Sequence, residues 1–237
     1  MNYFVKNDRG RYAVMPQSLP TVAVAASPQR FPVHRIYCVG RNYVEHTAED
    51  GSHAEREPPL FFMKPADTIV APGGEVPYPP ETADFEHEVE LVVAIGRTVY
   101  RALPDEAAAA VFGYAVGLDM TRRDLQRQAR DLRGPWDLSK SCDYSSPCGD
   151  LRPVSRIGHP DKGRIQLRVN GRLRQDSCIS HLIWSVPELI HHLSRFQVLL
   201  PGDLIYTGTP GGVGPVVAGD TLDASIEGIG SLSVKIV

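Results

Sequence analysis

Glu86-His87-Glu88-Val89-Glu90-Leu91-Val92-Val93-Ala94-Ile95 is the stretch whose reading decides the fold of this chain. Its second half is β-branched and apolar, so it reads as a strand whose side chains alternate between two faces. Val89, Leu91, Val93 and Ile95 then share one face, and Glu88, Glu90, Val92 and Ala94 the other. Both faces are therefore partly inward. Two carboxylates about 7 Å apart on such a face repel each other. Neither ionises readily in a low-dielectric site unless a cation or several donors sit between them, a need that a hard divalent cation meets. The alternative is that the glutamates begin the strand in solvent and only Val92 and Ala94 go in.

Around this strand, 237 residues are enough to bury a sizeable core in one domain with appendages. Apolar content of 42% and charge of 22% belong to a globular chain. A net charge of −3 with no concentrated basic run argues against nucleic acid or an anionic membrane as partner. No apolar run approaches the roughly 20 residues that span a bilayer, and Met1 to Lys6 lack the pattern of a secretory signal. Cys38, Cys142, Cys148 and Cys178 show no CxxC spacing and read as reduced thiols of a cytoplasmic protein.

Residues 1–30, punctuated by Pro16, Pro20 and Pro28, read as an N-terminal arm or short edge strand, with the main domain at 31–237. Arg35 to Gly40 is a short buried strand. Asn42 with Glu45 resembles a capping box, opening a short helix from Tyr43 to about Asp50 with Asn42, His46 and Glu49 on one face. The run from Glu45 to Glu57 has the composition of an exposed loop, able to serve as a lid. His46 and Glu49, one turn apart, form a potential general-base pair. Leu103-Pro104-Asp105 opens an alanine-rich helix that Gly113 closes, and Tyr114 to Leu118 is a buried strand delivering Asp119 at its end, where it could join Glu88 and Glu90 or simply cap a turn. A helix from Thr121 places Leu125, Ala129 and Leu132 on its apolar side, with most of its arginines in solvent. Lys140, in a Ser/Cys/Pro-rich loop, reads as exposed.

Ile165–Val169, Asn170-Gly171 and Arg172–Arg174 form the strongest hairpin signal in the chain. Ser185 and Glu188 make a capping box for a helix with Leu189, Ile190, Leu193 and Phe196 inward. The strand Leu204–Thr207 runs into Gly208-Thr209-Pro210-Gly211-Gly212-Val213-Gly214, which is neither a phosphate-binding P-loop nor a dinucleotide fingerprint, although its amides could bind an anion. Two further strands, about 221–226 and 231–236, finish the chain. Together these elements give an α+β, mostly β fold.

In order, Gly40-Arg41-Asn42-Tyr43-x-x-His46-x-x-Glu49, Lys64-Pro65, Glu88-x-Glu90-Leu91, Leu118-Asp119-x-Thr121-x-Arg123-Asp124-x-Gln126, Lys140 and Pro201-Gly202-Asp203 through Gly214 resemble the fumarylacetoacetate hydrolase family over about residues 31 to 237. The resemblance implies a mixed β-sandwich or β-roll with a few peripheral helices, a homodimer, and a divalent Mg or Mn, or else Ca, held by Glu88, Glu90 and Asp119. It also implies that Lys140 and Gln126 contact the 2-oxo-acid end of a substrate, with Arg41 nearby. His46 and Glu49 would activate water, and Thr209 with its glycines would bind an oxygen by backbone amide. Within the family, the runs Phe31 to Tyr43, Thr121 to Gln126 and Gly134 to Asp137 look most like fumarylpyruvate hydrolases. The expected substrate is thus a 2,4-dioxo acid, cleaved at a C–C bond. Acylpyruvate hydrolysis and oxaloacetate decarboxylation are the alternatives within the family, and a Ca-binding β module is the non-enzymatic one. Arg122 is a candidate for reading a second substrate carboxylate.

Overall fold

The computed structural model describes residues 12–44 and 56–237. Its centre is a six-stranded sheet in the order Arg152–Pro153, Val111–Leu118, Val89–Ile95, Leu204–Tyr206, Ile36–Gly40, Leu60–Lys64. Val89–Ile95 runs antiparallel to both neighbours, and Leu204–Tyr206 runs parallel to Ile36–Gly40. Strand Val89–Ile95 is buried along its whole length. Its two faces separate as the alternation predicts. Val89, Leu91, Val93 and Ile95 join the larger core, whereas Val92 and Ala94 enter a second cluster with Ile36, Cys38, Leu204 and Tyr206.

The larger core is closed by a five-stranded sheet in the order Arg172–Cys178, Arg164–Val169, Thr221–Ile226, Gly230–Ile236, Glu75–Val76. The expected hairpin is there, with Asn170 at φ 50° in its turn. Of the N-terminal segment, Thr21–Ala23 pairs with Arg30–Pro32, and Val22, Val24 and Phe31 are buried in the second cluster.

Four expectations change. The strand does not run unbroken from Glu86: Phe85–His87 belongs to a separate three-stranded sheet, and the ladder restarts at Val89. Gly113 does not close a helix. The helix is only Pro104–Ala108, and Gly113 lies within strand Val111–Leu118, where a Cβ would collide with the backbone of Arg152 and Pro153 on the neighbouring strand. Helix Arg123–Asp131 does not bury an apolar side; Gln126 is its buried residue and Leu132, just past it, is 75% exposed. Phe196, two residues beyond helix Val186–Ser194, is exposed, although Leu189, Ile190 and Leu193 are buried as expected. Most of the helix expected at Tyr43 to Asp50, and with it His46, Glu49 and most of the proposed lid, lies outside the described residues. Where the chain re-enters, Arg56 stacks 4.2 Å over the Trp184 ring and pairs with Glu188 at 2.6 Å.

Candidate active site

Glu88 sits in the break between the two sheets, and that break gives it its direction. The backbone amide of Val89 is satisfied by the side-chain oxygen of Gln175, 3.0 Å away, instead of by a ladder carbonyl. Glu90 follows two residues on. Asp119 arrives from the end of strand Val111–Leu118, pinned by its amide donating to the Glu88 carbonyl at 2.9 Å. All three carboxylates are buried, and one oxygen from each lies within 4.8 Å of the others.

Cations crowd round this cluster. Lys140 is buried, not exposed as its loop composition suggested, and its Nζ donates at 2.7 Å to both Glu88 Oε2 and Asp119 Oδ2. Burial works against its ammonium form, but Asp119 and Glu88 outweigh it and hold the pKa above the ordinary lysine value. Lys64 Nζ donates to Asp119 Oδ1 at 2.6 Å and to the Met120 carbonyl at 3.0 Å. Arg123 bonds Glu86, Glu88 and Gln126. The balance is incomplete. Glu86, Glu88, Glu90 and Asp119 face Lys64, Arg123 and Lys140, and among the described residues Glu90 makes no ion pair. Its Oε2 accepts the Gly208 amide at 2.8 Å, while burial, with Asp119 and Glu88, pushes its pKa well above the usual carboxylate range.

That donor set fits a divalent cation. Three buried carboxylate oxygens that converge are oxygen ligands of the kind Mg or Mn takes, and among the described residues Glu90 has no ion-pair partner to offset its burial. Gly208 reaches Glu90 because it has φ 101° and passes 2.8 Å, at its would-be Cβ, from the Cβ of Asn42. Asn42 holds the two segments together: its amide donates to the Thr207 carbonyl at 2.7 Å and accepts from the Trp184 amide at 2.7 Å. Its expected capping-box partner, Glu45, lies outside the described residues. Thr209 Oγ1 donates to the Val89 carbonyl at 2.9 Å and accepts from Gln175 Nε2 at 2.8 Å.

A cavity opens over the carboxylates, bringing together Glu88, Glu90, Lys140, Gln126, Thr209 and Arg41. Arg41 has φ 58°, a left-handed conformation uncommon for a residue with a side chain. Arg122 is placed elsewhere. It pairs in the strand Thr121–Arg122 and donates to the Pro80 carbonyl at 3.0 Å, and it does not line this cavity.

Lys64, Arg123 and Gln175 carry no assigned role in the sequence. The first two stand inside the quoted motifs, and counting carboxylates against cations would have drawn them in. Gln175 gave no signal. Its buried amide ties three parts together: Oε1 accepts from Val89 N–H and from His87 Nδ1 at 3.0 Å, and Nε2 reaches Thr209 and the Pro210 carbonyl at 2.9 Å. His87, whose pKa burial lowers, is thereby held with its proton on Nδ1.

Residues 35–237 match the fumarylacetoacetate (FAA) hydrolase C-terminal family. A fumarylpyruvate hydrolase from a Ralstonia species is 46% identical over 180 residues, 76% of this chain and 93% of that protein. A mitochondrial oxaloacetate tautomerase from Homo sapiens is 42% identical over 202 residues, 85% and 90% of the two chains. Among solved structures, fumarylpyruvate hydrolase from Pseudomonas aeruginosa, in complex with Mn2+ and pyruvate, superposes with a TM-score of 0.93 at 48% identity, covering 95% of this chain and 99% of that one. With the carboxylate cluster on the same sheet architecture, this chain belongs to the fumarylacetoacetate hydrolase family.

Proposed function

We propose that this protein is a metal-dependent hydrolase of 2,4-dioxo acids, cleaving 3-fumarylpyruvate with water to fumarate and pyruvate. The observation that carries this reading is the convergence of Glu88, Glu90 and Asp119 with Lys140 beside one cavity. The likeness to two fumarylpyruvate hydrolases supports the choice of substrate.

Glu88, Glu90 and Asp119 would hold Mg or Mn, which when bound supplies Lewis acidity toward the 2-oxo-acid end of the substrate. Gln126 and Lys140 orient that end. His46 takes a proton from water, with Glu49 orienting the imidazole, and the hydroxide adds to the C4 carbonyl carbon. Backbone amides near Thr209 receive the oxyanion. The bond between C4 and the methylene carbon then breaks, and its electron pair leaves as the pyruvate enolate. Lys140 stabilises the charge on the enolate oxygen until the methylene carbon is protonated.

A second reading has a specific observation behind it, the 42% identity to an oxaloacetate tautomerase. Tautomerisation moves a proton between carbon and oxygen of a 2-oxo acid and needs no attacking water, so it would use Lys140 and the carboxylates but leave His46 without a hydrolytic task. The test is to offer fumarylpyruvate, acetylpyruvate and oxaloacetate to one preparation. We expect kcat/KM to be highest for fumarylpyruvate and activity to vanish after exhaustive chelation; a wide lead for oxaloacetate would overturn the hydrolase reading.

We further infer a homodimer, consistent with apolar Leu60 and Met63 exposed on the sheet's edge strand, to be checked by light scattering. A cytoplasmic setting accords with four free cysteines. No helix among the described residues is long and apolar enough to cross a membrane.

A further inference from the structure

The cavity is lined by two chemically different groups of residues. One is the carboxylates with Lys140; the other is guanidinium and aromatic, with Arg130 and Trp136. A single helix joins them. Arg123, Gln126 and Arg130 stand at i, i+3 and i+7 of helix Arg123–Asp131, which is one stripe of its surface, and all three line the cavity. Arg123 is committed to Glu86 and Glu88 at the inner end. Arg130 lies one turn beyond Gln126, about 6 Å along the axis. Its guanidinium sits 5.4 Å over the Trp136 ring, and Trp136 packs in turn against Phe62 at 5.6 Å between centroids. Stacking of this kind keeps the planar fork in a fixed plane, which is what paired recognition of a carboxylate requires.

We propose that Arg130, braced on Trp136, receives the far carboxylate of a dicarboxylic 2,4-dioxo acid, so that the helix stripe acts as a length gauge for the substrate. The inference rests on the reaction proposed above and adds to it the residue that selects the diacid. An extended carbon chain advances about 1.2 Å per bond, so the terminal carboxyl carbons of a seven-carbon dioxo diacid are about 7 Å apart. That matches the step from Gln126, at the 2-oxo-acid end, to Arg130. An acid ending in a methyl group offers Arg130 nothing to bind. Arg122, the neighbouring arginine that the sequence suggested for this task, faces the Pro80 carbonyl instead.

The test is the ratio of kcat/KM for fumarylpyruvate to that for acetylpyruvate. In Arg130→Gln it should fall about 10- to 100-fold, the range for losing hydrogen bonds to a charged group, and chiefly through KM. Arg130→Lys, which keeps the charge but not the fork, should recover part of it. Arg127→Gln removes the same charge from the exposed side of the same helix, where Arg127 pairs with Asp84, and should leave the ratio at the wild-type value. An unchanged ratio in Arg130→Gln, or an equal fall in Arg127→Gln, would overturn the proposal while hydrolysis of both acids continued to support the reaction. If the wild-type protein turned over neither acid, the reaction reading would fall and this inference with it.

Discussion

Helices Arg123–Asp131 and Val186–Ser194 are both nine residues long, and they turn opposite chemistries inward. Val186–Ser194 buries Leu189, Ile190 and Leu193 in the main core, and its start is closed by Glu188, which accepts from the Ser185 amide at 2.9 Å. Arg123–Asp131 buries Gln126 and points Arg123 at two carboxylates, leaving Leu132 in solvent. Both sequences carry apolar residues at helical spacing, so periodicity alone gives them the same orientation. What separates them is the surface underneath. Over apolar strands a helix gains by burying leucines, whereas over Glu86 and Glu88 it gains more by bringing a guanidinium, because an unpaired buried carboxylate is costly.

That contrast can be broken by substitution. Arg123→Leu leaves Glu86 and Glu88 without their guanidinium, and we expect a loss of about 3–5 kcal/mol in urea unfolding, larger in chelator than with Mg or Mn present. A stability equal to wild type would mean that the arginine is not what seats this helix. Leu189→Ala should cost about 2–5 kcal/mol through the cavity it leaves, by the same amount with and without divalent cation. A metal-dependent loss there would show that the two helices are not energetically separate. Gln175→Leu, at the joint between the sheets, should cost about 1–3 kcal/mol, since the Val89 amide and Thr209 hydroxyl lose a partner; differential scanning calorimetry at matched metal concentration measures it. Smallest of all, Leu132→Ser should change stability by no more than about 0.5 kcal/mol despite its place in the apolar repeat. A drop of several times that would imply that something covers this leucine in solution.

The legible parts of the fold were those set by local rules. Alternation in Val89–Ile95 assigned every side chain to its face, and Asn170-Gly171 announced its hairpin. The residues alone left the carboxylates open, since Glu88 and Glu90 could begin a strand in solvent and Asp119 could cap a turn; the family resemblance grouped them, and the structure brings one oxygen of each within 4.8 Å of the others. The resemblance named Lys140, but its burial was not legible, since its surroundings are polar by composition and only Glu88 and Asp119, 52 and 21 residues away, draw it inside. The break at Glu88 was hidden for a similar reason: the amide of Val89 is satisfied by a side chain 86 residues downstream. Gly113 looked like a helix stop because a glycine required by a close neighbouring backbone has no local mark to distinguish it.

Leu204–Tyr206 is an interior strand of the six-stranded sheet, seated between Val89–Ile95 and Ile36–Gly40. On the ribosome it is therefore made long after both of its neighbours, which must wait as open edges through more than a hundred residues of synthesis. Pairings at such separation form slowly, and unpaired edges invite association with other chains. The same late segment carries Gly208, whose amide reaches Glu90. Until it docks, Glu90 lacks that amide and stays hydrated, which keeps a charge on an apolar strand still missing its neighbour.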